Sequence, residues 1–128
     1  MRAQRNRDTA PEVALRQILH RRGLRFRLHR PVVPGTTRRV DIVFGPAKVA
    51  VDVRGCYWHG HEHDQATYRR TKNLDYWARK IAGNRARDAD TEQRLRDAGW
   101  EVVVIWECDN PVDAAEHVET TVRARRGR

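Results

Sequence analysis

Apolar side chains recur at two different spacings along the chain, and the spacing changes from one predicted element to the next. Intervals of three and four residues among Leu15, Ile18 and Leu19 predict a first helix. Thr9 supplies a capping side chain at the start of this helix, and Gly23 ends it. The N-terminal segment is therefore predicted to be a helix with one apolar face.

Three short apolar runs bounded by turn residues follow, and they predict three strands. The runs cover residues 24–28, 40–44 and 48–53, and a tight Gly45-Pro46 turn joins the second to the third. Because so short a turn brings its flanking strands side by side, we expect the second and third strands to form a hairpin.

The second half of the chain predicts a helix, a strand and a final helix. A helical pattern begins at Asn73 and ends at Gly99, and an amphipathic helix covers residues 111–122. The run 100–106 is almost entirely apolar, which predicts a strand at the centre of the sheet, buried on both faces. Residues 123–128 are basic and are expected to be frayed. The order α-β-β-β-α-β-α predicts an α/β fold with a mixed sheet flanked by helices.

The charge balance points to a polyanionic partner. Among 128 residues there are 26 Lys and Arg but only 17 Asp and Glu, which gives a net charge of +9. Such an excess favours phosphate contacts, which supply sequence-independent affinity for nucleic acid. The length fits a single domain over residues 1–128. A charged N-terminus and the lack of any transmembrane-length apolar run predict a cytoplasmic protein without membrane contact.

Carboxylates inside predicted strands give the first indication of chemistry. Asp41 lies within the strand 40–44, where a charge is costly unless it has a use. Asp52 and Arg54 lie two residues apart and so share one face of the next strand. The hairpin would bring Asp41 near Asp52, and such a pair can hold a divalent ion that polarises a phosphodiester and activates water. The alternative is a pair of salt-bridged strand residues without a metal.

A third carboxylate belongs to the first helix. Glu12 shares a helix face with Leu15 and Leu19, so its side chain is expected to point toward the sheet. It also stands three residues after Thr9, which is the spacing of a capping box. Both interpretations stay open, because one glutamate can cap the helix and serve a site.

Two cysteines and a run of histidines form a second candidate centre. In a reducing compartment these cysteines are expected to be metal ligands or buried thiols rather than a disulfide. Cys56, His61, His63 and Cys108 would make a closed tetrahedral zinc site, which is structural rather than catalytic. His59 can instead serve as a general acid or base. Which of the three histidines bind zinc stays open.

Adjacent aromatic residues follow the first cysteine. Tyr57 and Trp58 lie on a polar segment, where they can stack on bases or wedge between base steps. The alternative is that one of them packs beneath the zinc site. Trp77 lies at helical spacing from Ile81, which is more typical of a core position.

The residues resemble two known patterns. Asp41, ten residues and then Asp52-x-Arg54 resembles the core of PD-(D/E)xK nucleases, with Arg54 in the usual lysine position. Over nearly its whole length the sequence is also similar to the very-short-patch repair (Vsr) DNA mismatch endonucleases. The motifs that carry this resemblance are Arg7-Asp-Thr-Ala-x-Glu12, Gly23-Leu-x-Phe26-Arg, Asp41-Ile-Val, Gly55-Cys-Tyr-Trp-His59, Trp77-x-x-Lys80-Ile-x-x-Asn84-x-x-Arg87-Asp88, Leu95-x-x-x-Gly99-Trp and Val104-Ile-Trp-Glu107-Cys108.

The Vsr resemblance implies a magnesium-dependent endonuclease with a restriction-endonuclease-like fold. Such an enzyme nicks one strand beside a thymine mispaired with guanine, the product of 5-methylcytosine deamination. The resemblance implies that Asp41 and the backbone carbonyl of Val53 bind Mg²⁺. It further implies that His59 and Glu12 form the pair that handles protons.

The same resemblance assigns the zinc site and the DNA contacts. It implies structural Zn²⁺ held by the two cysteines together with His61 and His63. Tyr57, Trp58 and Trp77 would form an aromatic wedge that enters the duplex, and Lys80 and Arg7 are expected to contact DNA. The expected partner is mismatched double-stranded DNA, bound by a monomer within the nucleoid. Mismatch-repair proteins are further implied partners.

Two residues near the expected metal site depart from the Vsr pattern. Arg54 stands where the best-known members have a histidine, and Asp52 stands where they have an apolar residue. Asp52 thereby becomes a further candidate Mg²⁺ ligand, and both residues are candidate catalytic groups. The change favours an alternative, a restriction or defence nuclease of the same fold without mismatch specificity. A zinc-stabilised DNA-binding module without catalysis is a further alternative.

Overall fold

Seven helices and strands make up the part of the chain that the computed structural model describes, which is residues 10–55 and 74–126. Side chains are described throughout these ranges except at residues 74–77. The elements are α1 (Ala10–Arg21), β1 (Arg27–Arg30), β2 (Val40–Phe44), β3 (Val49–Arg54), α2 (Leu74–Asp97), β4 (Glu101–Trp106) and α3 (Pro111–Arg126). Their order is the predicted one, so the α-β-β-β-α-β-α arrangement is confirmed.

The four strands form one mixed sheet in the order β1-β2-β3-β4. β2 pairs antiparallel with both β1 and β3, while β3 and β4 are parallel. Residues 45–48 join β2 to β3, and the Lys48 amide donates a hydrogen bond to the Gly45 carbonyl at 3.1 Å. The predicted hairpin is therefore confirmed.

Among the described strands, β4 lies at an edge of the sheet and not at the predicted centre. Its apolar run has a different cause, because helices cover both faces of the strand. Val103 and Ile105 pack in the core that α1 and α3 close. On the opposite face Val102 and the preceding Trp100 pack with Leu95 of α2. A strand covered on both faces has few polar positions, whether it is central or not.

The first strand begins later than predicted, because α1 uses the intervening residues to end. Gly23 adopts the left-handed conformation with φ of 87°. The Leu24 amide then donates to the Leu19 carbonyl at 3.1 Å, which closes the last turn of the helix. β1 therefore covers Arg27–Arg30 rather than 24–28. The predicted cap at Thr9 lies outside the described residues.

The last helix continues beyond its predicted end to Arg126, so residues 123–126 are not frayed. The Arg125 guanidinium donates to the Ala47 carbonyl at 2.7 Å and to the Gly99 carbonyl at 2.8 Å. These bonds attach the end of α3 to two turns of the sheet. None of the helices in the two described ranges has the length and apolar character needed to cross a bilayer.

Candidate active site

Three polar side chains form a row across the sheet where β2 begins. The pairing of Ile42 with Val51 places Asp41 opposite Asp52 on β3. The pairings on either side of His29 in β1 place that histidine opposite Asp41. Side chains directly opposite on antiparallel strands lie close together. The register of the three strands therefore brings His29, Asp41 and Asp52 side by side.

The first turn of α1 adds a fourth group to this row. Glu12 is only 1% exposed, and its Oε2 lies 3.2 Å from His29 Nε2. His29 Nδ1 in turn lies 3.8 Å from Asp41 Oδ1. The prediction that the Glu12 side chain points toward the sheet is thus confirmed.

Glu12, His29 and Asp41 have the geometry and the chemistry of a metal-binding group. One ligand atom from each lies within 4.8 Å of the other two, a span that one divalent ion with bonds of about 2.0–2.6 Å can bridge. Two carboxylates and an imidazole supply the oxygen and nitrogen donors that divalent ions take. Asp52 stands beside this group and can add a further oxygen.

The pKa of the Asp41 carboxyl lies well above its ordinary value. Burial, followed by the charges of Asp52 and Glu12, raises the pKa of Asp41 to about 8. The Val53 amide acts in the opposite direction, because it donates to Asp41 Oδ2 at 2.8 Å and lowers the pKa. A buried carboxyl among other carboxylates is stabilised either by a proton or by a cation. A divalent cation could therefore take the place of the proton on Asp41.

His29 was not identified from the sequence, although it occupies the centre of this group. The predicted strand ended one residue before it, so its place opposite Asp41 was not foreseen. Its backbone has φ of 52°, a left-handed conformation that costs energy in most non-glycine residues and is often found at functional sites. The only local signal was a histidine within a short polar segment, which is common in proteins of any kind.

Arg54 is held on the side of the sheet that faces α2. Its Nε lies 2.9 Å from Asp52 Oδ2, and its terminal nitrogen lies 2.6 Å from Glu92 Oε2. Asp88 Oδ2 is 3.7 Å away, and the guanidinium carbon lies 5.9 Å from the centre of the Trp106 ring. Burial lowers the pKa of Arg54, but the neighbouring carboxylates, Asp52 foremost, outweigh it, so the pKa is raised. The predicted proximity of Arg54 to Asp52 is confirmed, and α2 supplies two partners that sequence analysis missed.

A cleft of about 450 Å³ opens beside Asp41, between the residues that lead into β2 and the helix α2. Asp52, Ala50 and Val102 belong to its floor on the sheet. Its lining is otherwise mixed in charge, with Arg38, Arg39 and Arg87 as its cations and His29, Asp41, Asp88 and Glu92 among its other polar residues. The candidate metal group thus lies at the edge of an open, charged cleft.

Several predicted site residues lie outside the residues that the structure describes. Residues 1–9 and 56–73 are not described, and they contain Arg7, Cys56, Tyr57, Trp58, His59, His61 and His63. Trp77 lies on α2, in the part whose side chains are not described. Lys80 is exposed on α2, and Cys108 is exposed just after β4. Their roles stay predictions.

Replacement of Asp41 by asparagine should stabilise the metal-depleted protein at neutral and alkaline pH. The folded-state pKa of about 8 lies above the ordinary value near 4, so folding takes up a proton between these values. The stability from this proton is complete below about pH 4 and is lost as the pH rises through about 8. In EDTA, the melting temperature of Asp41→Asn should exceed that of the wild type increasingly from about pH 5 to 8.

The exposed Asp113 in the first turn of α3 offers a matched control. Asp113→Asn makes the same substitution outside the carboxylate cluster and so measures the effect of the substitution itself. A variant Asp41→Asn that melts below the wild type at pH 8 would contradict the raised pKa of Asp41.

Arg54→Met should destabilise the fold strongly, because it leaves Asp52, Asp88 and Glu92 without their shared cation. Removal of one partner from a buried ion pair costs about 3–5 kcal/mol. The measurement is the free energy of unfolding from urea titration at neutral pH. Arg123→Met removes an exposed ion pair with Glu119 at 2.7 Å and should cost much less. Equal losses in the two variants would refute a buried role for Arg54.

Comparison with known proteins shows which family the chain belongs to. Residues 1–65 match the family described as DNA mismatch endonuclease Vsr. The chain is 45% identical over 109 residues to the Type II nicking enzyme V.XorIIP of Xanthomonas oryzae pv. oryzae (strain KACC10331 / KXO85), an alignment that covers 85% of this chain and 77% of the relative.

Two further relatives have similar names. The Type II nicking enzyme V.NaeI of Lentzea aerocolonigenes is 38% identical over 125 residues, with 95% of this chain and 74% of the relative covered. The DNA mismatch endonuclease Vsr of Escherichia coli (strain K12) is 36% identical over 108 residues, with 84% of this chain and 67% of the relative covered. The chain therefore belongs to the Vsr family of DNA mismatch endonucleases and is a DNA endonuclease, a phosphodiester hydrolase.

Proposed function

We propose that this endonuclease nicks one strand of duplex DNA beside a thymine mispaired with guanine, with Mg²⁺ as its catalytic metal. The observation that carries the proposal is the convergence of Glu12, His29 and Asp41 within reach of one divalent ion. The relative from Escherichia coli is named a DNA mismatch endonuclease. The nick would begin the repair of a deaminated 5-methylcytosine.

The proposed fold is the PD-(D/E)xK nuclease core, formed by a single domain over residues 1–128. Its support is the β2–β3 hairpin, which carries Asp41 on one strand and Asp52 with Arg54 on the next. A helix precedes this hairpin and brings Glu12 to the same place. The mixed sheet with helices around it is consistent with that core.

The proposed Mg²⁺ ligands are Asp41, Asp52 and the backbone carbonyl of Val53. When bound, the ion would polarise the phosphodiester and lower the pKa of an attacking water. His29 is added to this set, because its imidazole contacts both Glu12 and Asp41. The Val53 amide donates a hydrogen bond of 2.8 Å to Asp41 Oδ2, which fixes the position of this carboxylate oxygen.

Proton handling is proposed for His59 together with Glu12. A histidine has a suitable ordinary pKa for transfer near neutral pH. Glu12 is buried, and it is oriented by Arg16, whose guanidinium lies 3.3 Å from Glu12 Oε2, and by His29. Because these contacts hold the Glu12 carboxylate in place, it can orient a neighbouring imidazole.

A structural Zn²⁺ is proposed at Cys56, His61, His63 and Cys108. Support comes from the pairing of β3 with β4, in which Arg54 stands beside Trp106. Each cysteine follows its strand's last residue by two positions in the sequence. The Glu107 amide also donates to the Arg54 carbonyl at 2.9 Å, which continues this pairing beyond the strand ends. A zinc ion there would join two neighbouring segments.

The proposed partner is mismatched double-stranded DNA, bound by a monomer. The net charge of +9 supports general affinity for a duplex. Tyr57, Trp58 and Trp77 are proposed as the wedge that enters it, and Lys80 and Arg7 as further DNA contacts. Mismatch-repair proteins are proposed as functional partners.

A second candidate is a nuclease of this family without mismatch preference. The observation that favours it is Asp52 beside Asp41, where the register of the hairpin brings two carboxylates together as in general nucleases. The relatives from Xanthomonas oryzae and Lentzea aerocolonigenes are named Type II nicking enzymes. Specificity for the mispair therefore needs a direct test.

Cleavage of two end-labelled duplexes that differ by one T:G mispair tests the proposal. With Mg²⁺, we expect a single nick on the thymine strand of the mispaired duplex and at least about tenfold slower cutting of the matched one, since selective contacts of this kind contribute about 1–3 kcal/mol. Asp41→Ala should bind the mispaired duplex with similar affinity but not cut it. Equal cutting of both duplexes would favour the second candidate.

Replacement of Cys108 by serine tests the zinc site. We expect less than stoichiometric zinc by elemental analysis and a lower melting temperature, because structural zinc contributes to folding free energy. Ser replacement of Cys56 should have the same effect on both quantities. Stoichiometric zinc in Cys108→Ser would remove that residue from the ligand set.

A further inference from the structure

Arg54 occupies the lysine position of the PD-(D/E)xK motif, and carboxylates of the protein itself already surround its guanidinium. Arg54 is only 7% exposed, and the carboxylates of Asp52, Glu92 and Asp88 surround it at 2.9, 2.6 and 3.7 Å. A guanidinium in such surroundings cannot turn toward a phosphate without leaving buried charges unpaired. The reaction still develops negative charge on the phosphoryl oxygens, which a cation near the metal would stabilise.

Two other arginines line the cleft beside Asp41. Arg39 comes from the segment before β2, and Arg87 comes from α2. Both side chains are exposed. A DNA strand placed over the cleft would therefore meet two exposed cations close to the carboxylates of the candidate metal group.

The contacts of the three cleft arginines distinguish them. Arg38 donates to Asp90 at 2.7 Å and to Thr91 at 2.9 Å, so its guanidinium is already engaged by α2. Arg39 donates one hydrogen bond, to the His29 carbonyl at 2.8 Å, which fixes it next to the metal group. Within the described ranges Arg87 has no ion pair or hydrogen bond. Arg39 and Arg87 thus keep donors for an incoming anion.

We propose that the cleft binds a phosphate of the strand being cut between Arg39 and Arg87, and that Arg87 supplies the charge-stabilising contact which Arg54 cannot make. The proposal rests on the proposed nuclease site at Asp41. In this arrangement Arg39 positions the strand through its fixed guanidinium. Arg87 donates to the phosphoryl oxygens as their charge grows, in the planar paired geometry that suits phosphate.

Single-turnover cleavage with saturating enzyme tests the role of Arg87. Arg87→Ala should slow the cleavage step by roughly 10- to 100-fold, because loss of one donor to a developing oxyanion has effects on the order of 10²–10³ at fully buried sites and this one is open. Arg87→Lys should recover part of the rate, since it keeps the charge but not the paired donors. Arg39→Ala should mainly raise the enzyme concentration needed for saturation.

Arg85 provides the matched control on the same helix. It is exposed and lies two residues from Arg87, about 200° around the helix, and it does not line the cleft. Arg85→Ala removes the same charge, so its cleavage rate should stay within about twofold of the wild type. A rate for Arg87→Ala within that range, or an equal loss in Arg85→Ala, would overturn the proposal.

Binding to duplex DNA without Mg²⁺ gives a readout that does not depend on cleavage. The slope of log affinity against log salt should fall by about one unit in both Arg39→Ala and Arg87→Ala, as expected for one lost phosphate contact each. An unchanged slope in both would overturn the phosphate site. If the wild type cuts matched and mispaired duplexes equally, mismatch specificity fails while the slopes and relative rates still decide the role of Arg87.

Discussion

The pairing of β2 with β3 governs the chemistry of this protein, because it places two carboxylates opposite each other in the sheet. A shift of one residue would send one of them to the other face. The pairing is set by a connection of only four residues, 45–48, and by apolar positions that must face the cores. The stability of the hairpin therefore holds the carboxyl groups of Asp41 and Asp52 together, and this proximity contributes to the raised pKa of Asp41.

The charges around these carboxylates form two neighbouring groups, because Asp41 and Asp52 stand opposite each other on one face of the sheet. Glu12 and His29 lie beside Asp41 and form a group that can hold a cation. Arg54 neutralises Asp52 together with carboxylates of α2. Asp52 stands between the two groups. This division keeps the motif's own cation out of the metal group while leaving an open cleft next to it.

The features that the sequence predicted correctly are those that residues close together in the chain determine. The order of elements and the hairpin follow from apolar periodicity and a short turn, and the nearness of Asp41 to Asp52 follows from the hairpin. His29 could not be placed, because the connection of residues 31–39 leaves the register of β1 unspecified. The partners of Arg54 on α2 depend on how a distant helix packs, and no local pattern encodes that. The edge position of β4 was missed because burial, not position in the sheet, determines its composition.

The left-handed backbone of His29 restricts which amino acids can replace it. With φ of 52°, β-branched residues are disfavoured there, and only glycine, asparagine, aspartate and histidine adopt such a conformation readily. Glycine would relax the backbone but remove the side chain that touches Glu12 and Asp41. Among relatives that keep this backbone, drift at position 29 should therefore be confined to small polar residues or histidine, each offering a different donor to the same metal group.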